Sequence, residues 1–241
     1  MKTIIDILIL VILIYGAWNG YKKGLIMGIL GVLVLTVSIY GANLLSNTFS
    51  YDVVPALKPF AGGFVENTLN GEGGAAEMMG WDNKEEYSLE DLLALHEDET
   101  EDLAAACFEK MGIEASTAKV MTESAMAYSE AEDKNFTDSL IHELCVRISY
   151  AGCFIIAFVL IAIVLTVVIN LPNLSYKIPH MDLVNDIAGT VLGLLTAGAY
   201  CAVLVWALKF MGLIIGPETL EETVLGGFFL KRDFLGAILG I

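Results

Sequence analysis

Between Ile4 and Leu45 the chain runs for 42 residues with only three charges, Asp6, Lys22 and Lys23. As a single helix this stretch would be about 63 Å long at roughly 1.5 Å per residue, against a bilayer hydrocarbon core of about 30 Å. Such a helix would bury the two lysines near the bilayer centre or leave half its apolar surface in water. A break at "WNGYKK", residues 18–23, removes both problems. Asn19-Gly20 is a turn signal, Trp18 and Tyr21 suit the headgroup level, and the lysines suit the lipid phosphates. The expectation is two helices, about 3–19 and 25–45, joined by a tight basic turn. Gly16, Gly20, Gly24 and Gly28 recur every four residues. On this reading Gly16 closes the first helix, while Gly24, Gly28 and Gly31 give the second a small-residue face for close helix approach. The plain alternative is that glycine is frequent in membrane helices.

Two further apolar runs follow, Ile148–Leu171 and Ile187 to about Ile215, the latter uncharged until Lys209. A span needs about 20 predominantly apolar residues, so the count is four, with the first run borrowing its flanks. A signal peptide fits the first run poorly, because Lys2 is its only leading base, Asp6 interrupts it and no cleavage site follows cleanly. The mean hydropathy of +0.68 nonetheless coexists with a net charge of −16. Residues 48–148 resolve the conflict: they hold 22 of the 29 acids and 6 of the 13 bases, which accounts for the whole net charge. The fold class expected is therefore all-α: a polytopic membrane protein with four transmembrane helices and an acidic helical insert between the second and third. This acidic balance argues against nucleic-acid binding, which needs a basic footprint.

Within the insert, residues 48–80 include six glycines and read as a Gly-rich linker. Residues 81–147 read as a small acidic helical insert. Leu89, Leu92, Leu93, Leu103, Cys107 and Met111 fall at roughly helical spacing, after a capping-box-like Ser88 and Asp91. Residues 148–215 form the second transmembrane hairpin, with helices about 148–171 and 187–215 and a short polar connector carrying two prolines. The tail, 216–241, is too interrupted to span and suits an interfacial position.

Asp6 is the costliest residue in the apolar body, since intramembrane carboxylates face protein or water. The first and fourth spans meet at one side of the membrane, so an Asp6–Lys209 contact is one expectation and headgroup water the alternative. Asp182 and Asp186, four apart, share a face at the N-terminal end of the fourth span and favour the helix dipole there. Asn43 and Asn170 can bond across helices. "HEDETED", 96–102, lacks the alternation, the glycine and the closing glutamate of a Ca²⁺ loop and reads as a solvated helix face. Four cysteines show no metal-ligand spacing; a Cys107–Cys145 disulfide would require an oxidising side. No catalytic motif is present, so no enzyme activity, cofactor or metal is expected.

Two stretches resemble the colicin V production protein family. "DILILVILIYGAWNGYKKGLI" has the family's Asp near the start, Asp6, then its Gly-aromatic-basic-basic-Gly turn at Gly20, Tyr21, Lys22, Lys23 and Gly24. "MDLVNDIAGTVLGLLTAGA" resembles its second signature, with Gly189 and Gly193 matching the glycines and Asn185-Asp186 standing where Asp-Arg is common. The tail "VLGGFFLKRDFLGAI" is also similar to members from Gram-positive bacteria. The resemblance covers the membrane part and leaves 48–148 uncovered. It implies a multi-pass protein of the bacterial cytoplasmic membrane, without catalysis, that supports toxin production or export or envelope homeostasis. Partners are then the lipid bilayer, further copies of the chain, or an export protein. Alternatives are an oligomeric small channel or transporter, and a membrane sensor binding cations or cationic peptides through the insert. Counting bases near span ends favours the N-terminus inside. The resemblance favours it outside, which makes the insert extracytoplasmic, and that orientation is adopted as the expectation.

Overall fold

The computed structural model of the chain describes residues 2–81, 89–171, 182–209 and 223–232. Its regular elements are all helical: α1 (Lys2–Asn70), α2 (Ala75–Met78), α3 (Leu89–Leu95), a 3-10 turn (Glu97–Glu99), α4 (Thr100–Lys110), α5 (Ala115–Glu132), α6 (Phe136–Asn170), α7 (Asp182–Lys209) and α8 (Val224–Arg232). Three of them, α1, α6 and α7, are long and apolar enough to cross a membrane. Only 33%, 17% and 33% of their most apolar stretches is buried within the chain. Ile7, Val11 and Ile14 on α1, Ile156, Leu160 and Ile163 on α6, and Val191 and Leu195 on α7 all face outward. A soluble monomer rarely exposes more than a few hundred Å² of contiguous apolar surface. A lipid environment removes that penalty and demands the internally bonded backbone that helices supply.

The chain divides into two compact units. The described parts of the first are 2–48, 151–171, 182–209 and 223–232. Within it α1 is not a rod. Gly24 leaves helical geometry at φ 75°, ψ −174°, a region open essentially to glycine alone. Before it, Gly16 lies against Gly193 and Ala197, and Gly20 against Gly189 and Gly193. After it, Gly28 packs on Leu192 and Gly31 faces Thr196. Residue numbers on α7 fall as the first arm approaches Gly24 and rise again as the second leaves it. The chain therefore folds back at Gly24 into a hairpin, with both arms lying along α7. Across the unit, Phe154 meets Trp206 and Phe158 meets Tyr200 edge to face, at 5.0 and 5.7 Å between ring centres.

Both arms depart from their expected bounds. The first continues as helix through Asn19-Gly20 to Lys23, so the turn lies at Gly24 and not at residues 19–21. Gly20 serves close approach to α7 instead, and only Gly24 takes the backbone excursion. The second arm continues past Leu45 to Asn70, through residues expected to be linker. Only a short turn at 71–74 then separates it from α2. Pro55 and Pro59 lie inside this helix, although proline removes a helical donor. Burial outweighs that local cost, because Val54, Leu57, Ala61, Val65 and Leu69 make one stripe in the core of the second unit.

The second unit spans Phe49–Tyr150, of which 82–88 lies outside the described residues. Its core centres on Phe108, Leu103, Met121, Leu140, Val65 and Leu69, all fully buried. The six apolar positions from Leu89 to Met111 all belong to or pack against this core. Glu114 caps α5 by accepting from the Thr117 amide at 3.3 Å, and Asp133 ends it in the left-handed conformation at φ 50°. Ser88, the connector at 172–181 and the tail beyond Arg232 lie outside the described residues.

Candidate functional site

The Gly24 corner is held from a distance. A backbone that leaves the helix strands an N–H group, and in an apolar surrounding that group needs a partner. The Leu25 amide donates to Asn185 Oδ1 at 3.0 Å. Asn185 is 1% exposed, and a Cβ on Gly24 would meet its carboxamide, Oδ1 at 2.9 Å and Cγ at 3.0 Å. Asn185 Nδ2 is buried with no partner among the described residues. Nothing in the sequence analysis gave Asn185 a role beyond its place in a signature. A signal was present, because Asn185, Gly189, Gly193 and Ala197 repeat at the same four-residue spacing as Gly16, Gly20 and Gly24.

Those two series form one seam. A Cβ on Gly20 would strike the Gly189 carbonyl oxygen, and one on Gly189 would strike that of Gly20. Gly16 and Gly193 are related in the same reciprocal way, the Gly16 position meeting Gly193 O at 2.9 Å. The two backbones thus touch, as small-residue membrane interfaces permit, with Cα hydrogens facing carbonyls across the seam. Gly28 is tight for a different reason: its added Cβ would meet Leu192 Cβ at 2.9 Å. Of the sequence-predicted residues, the fold therefore brings together Gly20, Gly24, Gly28, Gly189 and Gly193.

The lysines flank the corner and diverge. Lys22 extends over the Trp18 ring, 5.0 Å from its centre, and is exposed. Lys23 is half-buried and lines a cavity of about 230 Å³ between both arms of α1, the end of α6 and α7. Asn19 and Asn170 are its other amide-bearing walls, and Ile12, Val34 and Tyr200 lie further from the corner. Asn170 donates to the Thr166 carbonyl at 2.6 Å, within its own helix, rather than across to another. Asn43 accepts from Asn47 at 3.0 Å, one turn further along its helix.

Asp6 reaches the start of α8. Its carboxylate accepts from the Val224 and Leu225 amides at 3.1 and 2.9 Å. These are the first N–H groups of α8, which lack intrahelical acceptors, and Thr223 Oγ1 accepts from Gly227 N at 3.1 Å beside them. The side chain of Lys209, the last residue of α7, lies outside the described residues, and so does any Asp6–Lys209 contact. Asp182 opens α7 and Asp186 follows one turn later, its carbonyl accepting from Thr190 Oγ1 at 2.7 Å.

In the second unit, part of "HEDETED" is structural. His96 stacks on Trp81 at 4.7 Å, and Trp81 Nε1 donates to Glu99 Oε2 at 3.1 Å. Cys107 and Cys145 are buried free thiols, and burial pushes the Cys107 thiol up to about 12. Among the described residues no three His, Cys, Asp or Glu side chains come together as a metal-holding group.

The chain matches no protein-family model, no curated protein and no solved structure.

Proposed function

We propose that the chain is a four-span protein of the bacterial cytoplasmic membrane whose packed helices hold an acidic helical unit at the extracytoplasmic surface. In this role it serves as an accessory to peptide-toxin export or envelope maintenance, as the resemblance to the colicin V production family implies. The supporting observation is the Gly24 hairpin. It divides the first long apolar helix into two arms along α7, so that three helices supply four apolar segments of spanning length. Several hydroxyl side chains inside those segments bond to their own helices, as Thr36 does to Val32 O at 2.9 Å and Thr196 to Leu192 O at 2.8 Å. That pattern suits a scaffold, and no reaction is assigned to it.

Three measurements test the proposal. Cys107 is a poor topology probe because it is buried, so the exposed Glu123 should be replaced by cysteine in a chain lacking its four native cysteines. Labelling by an impermeant maleimide in intact cells is expected, and labelling only after permeabilisation would reverse the orientation. Deletion of the gene in its host should sensitise the envelope or stop release of an exported peptide, with wild-type rescue. Normal growth and export under envelope stress would refute the accessory role, and ion flux from liposomes containing the purified chain would replace it with the channel.

A further inference from the structure

The cavity beside the corner has the polarity of an amphiphile. Lys23 and Asn19 belong to the last turn before Gly24, and no side chain among the described residues pairs with either. Ile12 is eleven residues before Lys23 and Val34 ten residues after Gly24, distances of about 15 Å along a helix at roughly 1.5 Å per residue. The cavity thus leads from a cation and a carboxamide near the turn to mainly apolar walls deeper in the bundle, where Tyr200 also stands and the Thr196 hydroxyl is bonded to its own helix. Gly28, Gly31 and Gly193 line it between these ends, leaving room where side chains would stand. Its volume of about 230 Å³ holds roughly eight groups the size of a water, which matches part of one acyl chain and excludes a whole lipid.

Charge decides the headgroup. A half-buried ammonium beside an apolar cavity is favourable near an anion, and lysine binds phosphate as a point charge. Lys22, one residue away, is instead exposed and engaged with Trp18, so it supplies a matched control. We infer that this cavity binds an anionic glycerophospholipid of the surrounding bilayer, with its phosphate at Lys23 and Asn19 and part of one acyl chain between the arms of α1 and α7.

The inference rests on the membrane-spanning reading, and flotation of the reconstituted chain with vesicles tests that reading separately. The full chain is placed in nanodiscs of equal phosphatidylcholine and phosphatidylglycerol, released, and read for retained lipid by native mass spectrometry. Wild type should retain phosphatidylglycerol at least fivefold over phosphatidylcholine. Lys23→Gln should abolish the preference, Lys23→Arg should keep it, and Lys22→Gln should leave it unchanged. Gly31→Leu should reduce retention by filling the cavity, because a Cβ there meets only Thr196 Oγ1 at 3.8 Å and space remains beyond it. Equal retention of the two lipids by wild type, or equal losses in the Lys22 and Lys23 variants, would overturn the inference. So would retention of added oleate in place of phosphatidylglycerol, which would assign the cavity to a free fatty acid.

Discussion

Replacing Gly24 with alanine should loosen the whole first unit. A non-glycine residue at φ 75°, ψ −174° carries backbone strain of about 1–3 kcal/mol. The new methyl would also lie 2.9 Å from Asn185 Oδ1 and 3.0 Å from Cγ, an overpacking worth another ~1–3 kcal/mol. If Asn185 swings aside instead, the Leu25 amide loses its acceptor, at a similar cost of about 1–3 kcal/mol. The expected loss is about 2–6 kcal/mol, or roughly thirty-fold to twenty-thousand-fold in the folding constant at about 1.4 kcal/mol per decade. Two glycines of the same unit serve as controls. Gly152 in α6 and Gly198 in α7 have nothing within 4 Å of an added Cβ. Alanine at either should be neutral or stabilise by about 0.4–1 kcal/mol through the unfolded chain. The assay is reversible unfolding in mixed micelles with rising dodecyl sulfate, read by tryptophan fluorescence in a Trp81→Phe background, so that Trp18 and Trp206 report the first unit. A Gly24→Ala protein within about 0.5 kcal/mol of wild type, the size of an unremarkable surface change, would show that the corner is not strained. A Gly198→Ala loss as large as that of Gly24→Ala would show that close approach and φ do not explain the glycines.

Asp6→Ala leaves the Val224 and Leu225 amides without their acceptor and should speed hydrogen exchange at these two amides before any other part of α8; unchanged exchange there would refute the cap. Glu143 is 6% exposed and accepts from Arg147 Nε at 2.6 Å, in the part of α6 that belongs to the acidic unit; burial raises its pKa more than Arg147 lowers it. Arg147→Met should therefore destabilise that unit by about 3 kcal/mol by stranding a buried carboxylate, with most of the loss recovered by adding Glu143→Gln; absence of recovery in urea melts would count against a coupled pair. Cys107 has its thiol raised from 9.0 to about 12 by burial, so the folded state holds the proton more tightly than the unfolded chain. Its stabilising effect is whole below pH 9 and declines as pH rises toward 12, by at most about 1.4 kcal/mol per unit. The stability difference between wild type and Cys107→Ala should accordingly be flat from pH 6 to 8 and drift above 9, and a flat difference up to pH 11 would contradict the burial.

Much of this architecture was legible as contrast along the sequence. The acids cluster and the apolar runs have spanning length, and both features are properties of composition over windows of 20 residues or more. The existence of a reversal before Leu25 was also legible, because bilayer thickness forbids the alternative. Its position was not. Asn19-Gly20 is the stronger local turn signal, yet Gly20 is needed where α7 comes closest, and tertiary contact decides which glycine bends. The extension of α1 to Asn70 was hidden for the same reason. Gly62, Gly63 and two prolines speak for a linker, and only the stripe from Val54 to Leu69 speaks for a helix, a stripe that matters once α4, α5 and α6 are there to cover it. Asp6 was singled out by its cost, but its partners are backbone amides, which no residue pattern advertises.

The two polar contacts at the edges of the first unit follow one physical rule. Inside a bilayer, helix association gains nothing from hiding apolar surface, so it must come from close packing and from satisfied polar groups. The glycine seam meets the first requirement by bringing α1 and α7 into backbone contact. It then creates the second requirement, because the same chain must bend sharply at Gly24 to lay a second arm on α7, and the bend exposes the Leu25 amide. Asn185, one turn before Gly189 on the helix that forms the seam, accepts from that amide. Asp6 does the equivalent for the bare N-terminus of α8. In both places the acceptor lies at least 160 residues from its donor, so neither the hairpin nor α8 is complete by itself. One helix, α7, therefore both packs against the two arms of the hairpin and supplies the acceptor that the corner between them needs.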